Sequence, residues 1–497
     1  MYANTLSRRG FLVSAAAVSA GFMGLRAAAG AGGPLSASAS GGGGISGGGG
    51  VGYGPLMDDP AGMMKLPEGF SYRVLSRTGD EMADGLLVPG LPDGMAAFEG
   101  PGDTTVLVRN HEIAAGKPSI GAFGEAHERL GGLAPEKLYD PGDGTDGPIL
   151  GGCTRVVVDN ATGEVVGQHL ALAGTVRNCA GGPTPWGTWV TCEEDVRTGR
   201  HEGYSVDHGY NFEVPSDPSA GVADPLPIKA MGRFNHEAIA VDPRTGAVYQ
   251  TEDRHEGLIY RYLPKTPGRL HDGGRLQALA VKGQPGRDTR NWPADTPVES
   301  IYKGGAGEIA RESFKSLGQP AMGVGEVVEV EWIDVDDVEA PSDDLRFRWF
   351  DKGAARFARG EGMWYGRDSV FFACTNGGRR RLGQVFRYVP SPFEGTADEA
   401  KFPGRLELFI EPNDSNLIEN ADNLTVAPTG DLIVCEDRSG TCRLIGVTPE
   451  GQTYLFGGNV FNRSELAGAC FSPDGATLFV NIQSPGITLA IRGPWAG

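Results

Sequence analysis

Asn178-Cys179-Ala180-Gly181-Gly182-Pro183-Thr184-Pro185-Trp186-Gly187-Thr188-Trp189-Val190-Thr191-Cys192-Glu193-Glu194 places a thiol in a small-residue turn, runs through a short strand and ends on two adjacent carboxylates. Trp-Gly-Thr-Trp-Val-Thr reads as a strand because aromatic and β-branched side chains suit a pleated surface. A soft ligand and hard ligands thus sit at opposite ends of one strand.

The same layout recurs along the chain. It is found around Phe98-Glu99-Gly100 leading to Thr105 through Glu112, from His236 to Asp253, from Glu361 to Asn376, from Asp422 to Asp437, and from Gly468 to Gln483. Each copy is a hairpin whose turn uses Pro to fix φ or Gly to reach φ > 0. Six hairpins predict an all-β chain, a six-bladed β-propeller, with irregular insertions at 113–150, 196–231 and 264–320 on the connections. The composition agrees: 78 Gly and 34 Pro with 22% charged residues suit many short strands joined by turns.

A net charge of −19 excludes a nucleic-acid partner, because phosphate binding needs clustered Lys and Arg. The seven cysteines are an odd number without zinc-ribbon or CxxC spacing, so at least one is unpaired or serves as a ligand. Cys435 and Cys442 are placed either to bridge a hairpin or to stand as two buried thiols.

Ser7-Arg8-Arg9-Gly10-Phe11-Leu12 followed by an Ala-rich apolar run is the twin-arginine export pattern, too short and weakly apolar for a stable membrane span. The expected organisation is a twin-arginine signal peptide over 1–29, a Gly/Ser-rich linker over 30–54 and one propeller domain over 55–497. The expected location is periplasmic or secreted, with the twin-arginine machinery as transport partner and no stable membrane insertion.

In a propeller, equivalent loops converge at one mouth of a central channel. Glu112, Glu193 or Glu194, Glu252 or Asp253, Asn376, and Glu436 or Asp437 would then form a ring of oxygen donors, costly through repulsion unless cations fill it. Such a ring suits calcium, whereas the Cys179 thiolate selects a transition metal. The tripeptide Asn-His-Glu occurs twice, at Asn110-His111-Glu112 and Asn235-His236-Glu237, making His111 and His236 candidate ligands, general acids or groups that orient a carboxylate.

Arg109-Asn110-His111-Glu112, Gly151-Gly152-Cys153-Thr154-Arg155, the Asn178–Trp189 stretch, Cys192-Glu193-Glu194, Phe234-Asn235-His236-Glu237, Thr251-Glu252-Asp253 and Phe471-Ser472-Pro473-Asp474-Gly475 together resemble the PhoX-type alkaline phosphatases. The resemblance implies a six-bladed propeller with iron and calcium in its channel, hydrolysing phosphomonoesters. It implies that Cys179 is an iron ligand and that Glu193, Glu194, Glu252 and Asp253 belong to the metal shell. The family's Asp-Arg-Pro-Glu segment is matched here by Ala358-Arg359-Gly360-Glu361, which makes Arg359 a phosphate-holding residue and Glu361 a metal ligand. A competing placement at Asn420-Ala421-Asp422 keeps a carboxylate, Asp422, but loses the arginine. The expected protein is therefore a monomeric, calcium- and iron-dependent phosphoesterase acting on a small molecule. The alternative is a metal-binding propeller that hydrolyses a non-phosphate ester or lactone, or binds a ligand without turnover.

Overall fold

A computed structural model describes residues 51–296 and 319–495. The signal peptide expected over 1–29, and the linker as far as residue 50, lie outside the described residues. Among those described there are 25 strands and a single helical segment of α type, Leu345–Asp351. No described helix is long and apolar enough to cross a membrane.

The strands are antiparallel and arranged as a propeller. Six inner strands, Pro92–Glu99, Asn178–Pro183, His236–Val241, Gly360–Gly366, Ala421–Val426 and Leu466–Phe471, each contact the next, and the last returns to the first, closing a ring. From each inner strand the chain meanders outward. The blades stack face to face, so runs such as Val106-Leu107-Val108 are fully buried on both faces and lose the alternation of a half-exposed strand. The core is therefore a set of wedges between neighbouring sheets. One wedge packs Tyr249, Phe357, Met363, Phe372 and Phe386, and another packs Ile433, Leu444, Phe456, Leu478 and Ile482. Each such side chain contributes about 1.5–3 kcal/mol on burial.

Among the described residues the hydrogen-bonded sheets are five, with three, four, four, five and nine strands, where six separate units were expected. The nine-stranded sheet arises because Val327–Asp334 pairs with Arg405–Ile410 and zips two meanders together at their outer edges. Its two end strands, His236–Val241 and Gly360–Gly366, lie side by side, so the sheet nearly closes on itself. Two expected insertions contain strands: Asn211–Pro215 completes the sheet of the Cys179 stretch, and Gly274–Val281 is the fourth strand of a meander. The first repeat begins at Pro92, since Phe98 and Glu99 end its inner strand. Ser71–Arg77 supplies the outermost strand of the last sheet by pairing with Ile487–Arg492. Tyr53 packs edge-on against Phe70, Phe456 and Trp495, with the Phe70 centroid 4.9 Å away.

All six inner strands break register near their first residues. Between Pro92 and Met95, Asn178 and Gly181, His236 and Ile239, Gly360 and Met363, Ala421 and Leu424, and Ala467 and Cys470, the inner strand carries one residue more than its partner. A bulge bends the strand and re-aims the side chain at the bulge. Six bulges at one level around a channel aim six positions at one place.

Candidate metal centre

Five of those positions carry potential ligands: Asp93, Cys179, Glu237, Glu361 and Asp422. The sixth strand has Ala467-Gly468 there. The chain reaches four of these residues through a left-handed backbone two positions earlier, with φ of +47° at Leu91, +44° at Arg177, +52° at Arg359 and +54° at Asn420. Non-glycine residues in that region store strain that surrounding contacts must hold. The contacts repeat around the ring: the carbonyls of Leu91, Arg177, Asn235, Arg359 and Asn420 accept from the amides of Glu112, Glu194, Asp253, Thr375 and Asp437, and Glu465 accepts from Gln483 in the sixth. Adjacent inner strands also approach closely. A Cβ on Gly94 would lie 2.6 Å from Ala180 Cα, and one on Gly362 would lie 2.7 Å from Asn423 Cα.

The outcome is a string of four groups whose ligand atoms lie within 4.8 Å of one another in each: Asp93, Glu112 and Cys179; Cys179, Glu194 and Glu237; Glu237, Glu361 and Asp422; and Asp422, Asp437 and Glu465. Cys179, Glu237 and Asp422 are each shared by two groups. Two guanidinium groups border the string. Arg177 donates to Glu112 at 2.7 and 3.0 Å and also pairs with Glu194. Arg359 clasps Asp253 through Nε at 2.7 Å and Nη2 at 3.0 Å, with Nη2 also 2.7 Å from Glu361.

Two arginines do not balance this many acids. Burial, with repulsion from Glu361 and Glu194, pushes the Glu237 carboxyl well above the carboxylate range. Burial and Asp253 raise Glu194 and Glu361, burial and Glu112 raise Asp93, and burial and Asp437 raise Asp422 to about 7. Asp253 is the exception, since Arg359 outweighs burial and holds it low. Burial and the surrounding carboxylates drive the Cys179 thiol upward.

Where the sequence offers adjacent acids, the strand period decides between them, because consecutive residues face opposite sides. Glu112, Glu194 and Asp437 face the string, and Asp253 faces its border. Glu193, Glu252 and Glu436 turn back into the blades, so the structure places these three expected ligands elsewhere. Glu193 accepts from the amides of Val176, Gly209 and Tyr210 and from His208 at 2.6 Å. Glu252 accepts from Leu258 N and Tyr260 Oη, and Glu436 from Glu419 N and Arg443. Neither expected histidine reaches the string. His111 bonds the Gly90 carbonyl and Thr154 Oγ1, each at 2.9 Å, and burial with nearby Arg109 drives its pKa well down. His236 donates to the Gly232 carbonyl and stacks on Phe234 with centroids 3.6 Å apart, and burial lowers it to about 3. Asn376 bonds His255 at 2.9 Å, outside the four groups. All seven cysteines are free, Cys435 and Cys442 included.

Sequence reading missed Asp93, Glu465 and Arg177. A signal for Asp93 was present: Asp93-Gly94, Cys179-Ala180, Glu237-Ala238, Glu361-Gly362 and Asp422-Asn423 all pair a ligand with a small residue at the start of a strand. Glu465 had none, because it stands three residues ahead of the matching position in its blade.

The donor set fits cations. Both carboxylate oxygens of fully buried Glu237, and Asp93 Oδ1, lack any hydrogen-bond partner among the described residues. Buried carboxylates without partners are costly, and a cation compensates them.

The family model for the alkaline phosphatase PhoX matches residues 51–165 and 143–486. No curated protein matches the sequence significantly. Among solved structures, Pseudomonas fluorescens PhoX in complex with vanadate, a transition state analogue, is similar with a TM-score of 0.60 and 18% identity over 87% of this chain and 96% of that one. A gluconolactonase from Xanthomonas campestris aligns with a TM-score of 0.37 and 13% identity over 89% and 98%.

Proposed function

Since the chain belongs to the PhoX alkaline phosphatase family, we propose that it is a metal-dependent phosphoesterase acting on a small phosphomonoester at the string of ligands in its channel. The observation that carries this reading is Glu237, fully buried between Cys179 and Glu361 with neither oxygen hydrogen-bonded among the described residues. We count the propeller as six-bladed, taking the nine-stranded sheet as two blades fused at their edges.

The two ends of the string differ in chemistry. Asp93, Glu112, Glu194 and Glu237 around the Cys179 thiol would hold iron, and Glu361, Asp422, Asp437 and Glu465, all oxygen donors, would hold calcium. When bound, these cations supply Lewis-acid polarisation and neutralise phosphoryl charge. The protein's own contribution is orientation. Asp253 fixes the plane of the Arg359 fork through Nε and Nη2, leaving Nη1 unpaired among the described residues on a side chain 31% exposed. That free edge suits a phosphoryl oxygen. Arg177 holds Glu112 and Glu194 in one arrangement and lowers their mutual repulsion.

One observation favours the second reading. Arg359 is already matched by two carboxylates, Asp253 and Glu361, which leaves less positive field for a dianion and suits an uncharged ester or lactone. The test is hydrolysis of a chromogenic phosphomonoester before and after chelation, beside uncharged esters and lactones. Chelator-sensitive phosphate release is expected. Iron- and calcium-loaded protein that releases no phosphate excludes the first reading. The protein is further proposed to be exported folded by the twin-arginine route to the periplasm or beyond, as a monomer.

A further inference from the structure

Asn110 lies on the strand Thr104–His111, 0% exposed, and its side chain crosses to the neighbouring inner strand. Nδ2 donates to the Cys179 carbonyl at 3.1 Å and to the Ala180 carbonyl at 2.7 Å. Oδ1 accepts from the indole Nε1 of Trp189 at 2.8 Å and from the Cys153 thiol at 3.1 Å. The partners fix the orientation of the amide: an indole N–H can only donate and backbone carbonyls can only accept, so exchanging O and N would oppose like with like on both sides.

The two carbonyls belong to the bulge. Asn178 pairs with Glu193 and Gly181 with Thr191, so the ladder leaves Cys179 and Ala180 without partners. Their peptide groups need support from elsewhere, and unmet buried carbonyls would be costly. The support comes from a side chain of another sheet, itself anchored by Trp189 of the thiol's own sheet.

We propose that Asn110 is a positioning residue that sets the direction of the Cys179 thiol toward the metal string. The proposal rests on the reading of Cys179 as a ligand. Asn110→Asp keeps the shape and the acceptor facing Trp189 and Cys153 while removing both donations; Asn110→Ala removes the whole amide. Trp189→Phe removes one support of the amide, and Cys179→Ala is the control for the ligand.

Two readouts apply to the full chain after chelation. The first is titration with Co²⁺, following the thiolate-to-cobalt absorption band and its loss in Cys179→Ala. The second is the rate at which iodoacetamide alkylates Cys179, followed apart from the other six cysteines by peptide mapping; the residue is partly exposed but its thiol is buried, so any redirection of Sγ registers as faster reaction. Both Asn110 variants are expected to weaken Co²⁺ binding at the thiolate about 10–100-fold, with a shifted band, and to speed alkylation several-fold, with Trp189→Phe in between. Folded variants with wild-type band, affinity and alkylation rate overturn the proposal. If wild type shows no band sensitive to Cys179→Ala, the metal reading fails by itself and alkylation alone decides Asn110: an unchanged rate refutes it and a raised rate supports it. If neither Asn110 variant folds, Trp189→Phe decides in the same way, and wild-type behaviour in both readouts refutes it.

Discussion

Glu237 is the residue on which the electrostatics of the channel converge, with Cys179 and Glu194 on one side and Glu361 and Asp422 on the other. Replacing it by Gln removes a carboxyl that burial and its acidic neighbours keep from ionising freely. In chelated protein, Glu237→Gln is expected to raise stability by about 1–3 kcal/mol, the scale of an unmet buried polar group. In protein loaded with iron and calcium the same substitution is expected to lower it, so thermal unfolding of wild type and variant in chelator and with both metals checks the reversal of sign. Arg359→Lys keeps the charge but loses the planar fork that engages Asp253 at two points. On a phosphomonoester it is expected to lower kcat/KM about 10–100-fold, or roughly 1.4–2.7 kcal/mol in the barrier, with metal content by elemental analysis unchanged. At this scale much of the site was legible. The mouth acids were visible as types recurring at one place in a repeat, Cys179 as the single thiol heading one copy, and Glu361 only through the resemblance of Ala358-Arg359-Gly360-Glu361 to a family segment. The choice within Glu193-Glu194 and Glu436-Asp437 needed the strand register, which a pair of identical chemistries cannot announce.

At the level of strands, the bulges do the aiming, and they depend on small neighbours. Gly94→Ala would drive a methyl group to 2.6 Å from Ala180 Cα, and Gly362→Ala one to 2.7 Å from Asn423 Cα and the Asp422 carbonyl. Each is expected to cost about 1–3 kcal/mol and to weaken metal binding with it, read from urea midpoints and metal titration of the same variants. A second support lies behind the Cys179 hairpin, where His208 bridges Glu193 at 2.6 Å and Asp140 at 2.9 Å without exposure to solvent. Burial opposes a charged imidazole there, but Glu193 and Asp140 outweigh it and raise His208 to about 9. Because the folded value lies above that of the unfolded chain, the contribution is complete below about pH 6.5 and is lost as pH rises through about 9. It is of the order of 3 kcal/mol. The stability difference between wild type and His208→Gln should therefore shrink between pH 6 and 10 in denaturant unfolding. The hairpins were legible from Pro and Gly turns between β-branched runs. The edge pairing of Val327–Asp334 with Arg405–Ile410 was not, because strand partners so far apart in sequence leave no local signal.

Taken whole, the molecule draws ligands from every blade to one channel, so cation binding and closure of the ring are coupled. In chelated protein the folded state holds Asp422 protonated up to about pH 7, where the unfolded chain has released the proton. Lowering the pH from 8 to 5 should then raise the melting temperature of chelated protein. In loaded protein protons compete with cations for the same carboxylates, and the melting temperature should fall over that range. Parallel slopes in the two series would contradict the assignment of the string as a cation site. The closure of the ring has its own logic. Ser71–Arg77, near the beginning of the described chain, is hydrogen-bonded to Ile487–Arg492, near its end, and Met64–Lys65 borders the preceding sheet by pairing with Thr453–Asn459. A growing polypeptide thus makes its clasp early and waits more than four hundred residues for the catch, so no fragment that stops short of Ile487–Arg492 can own a finished channel.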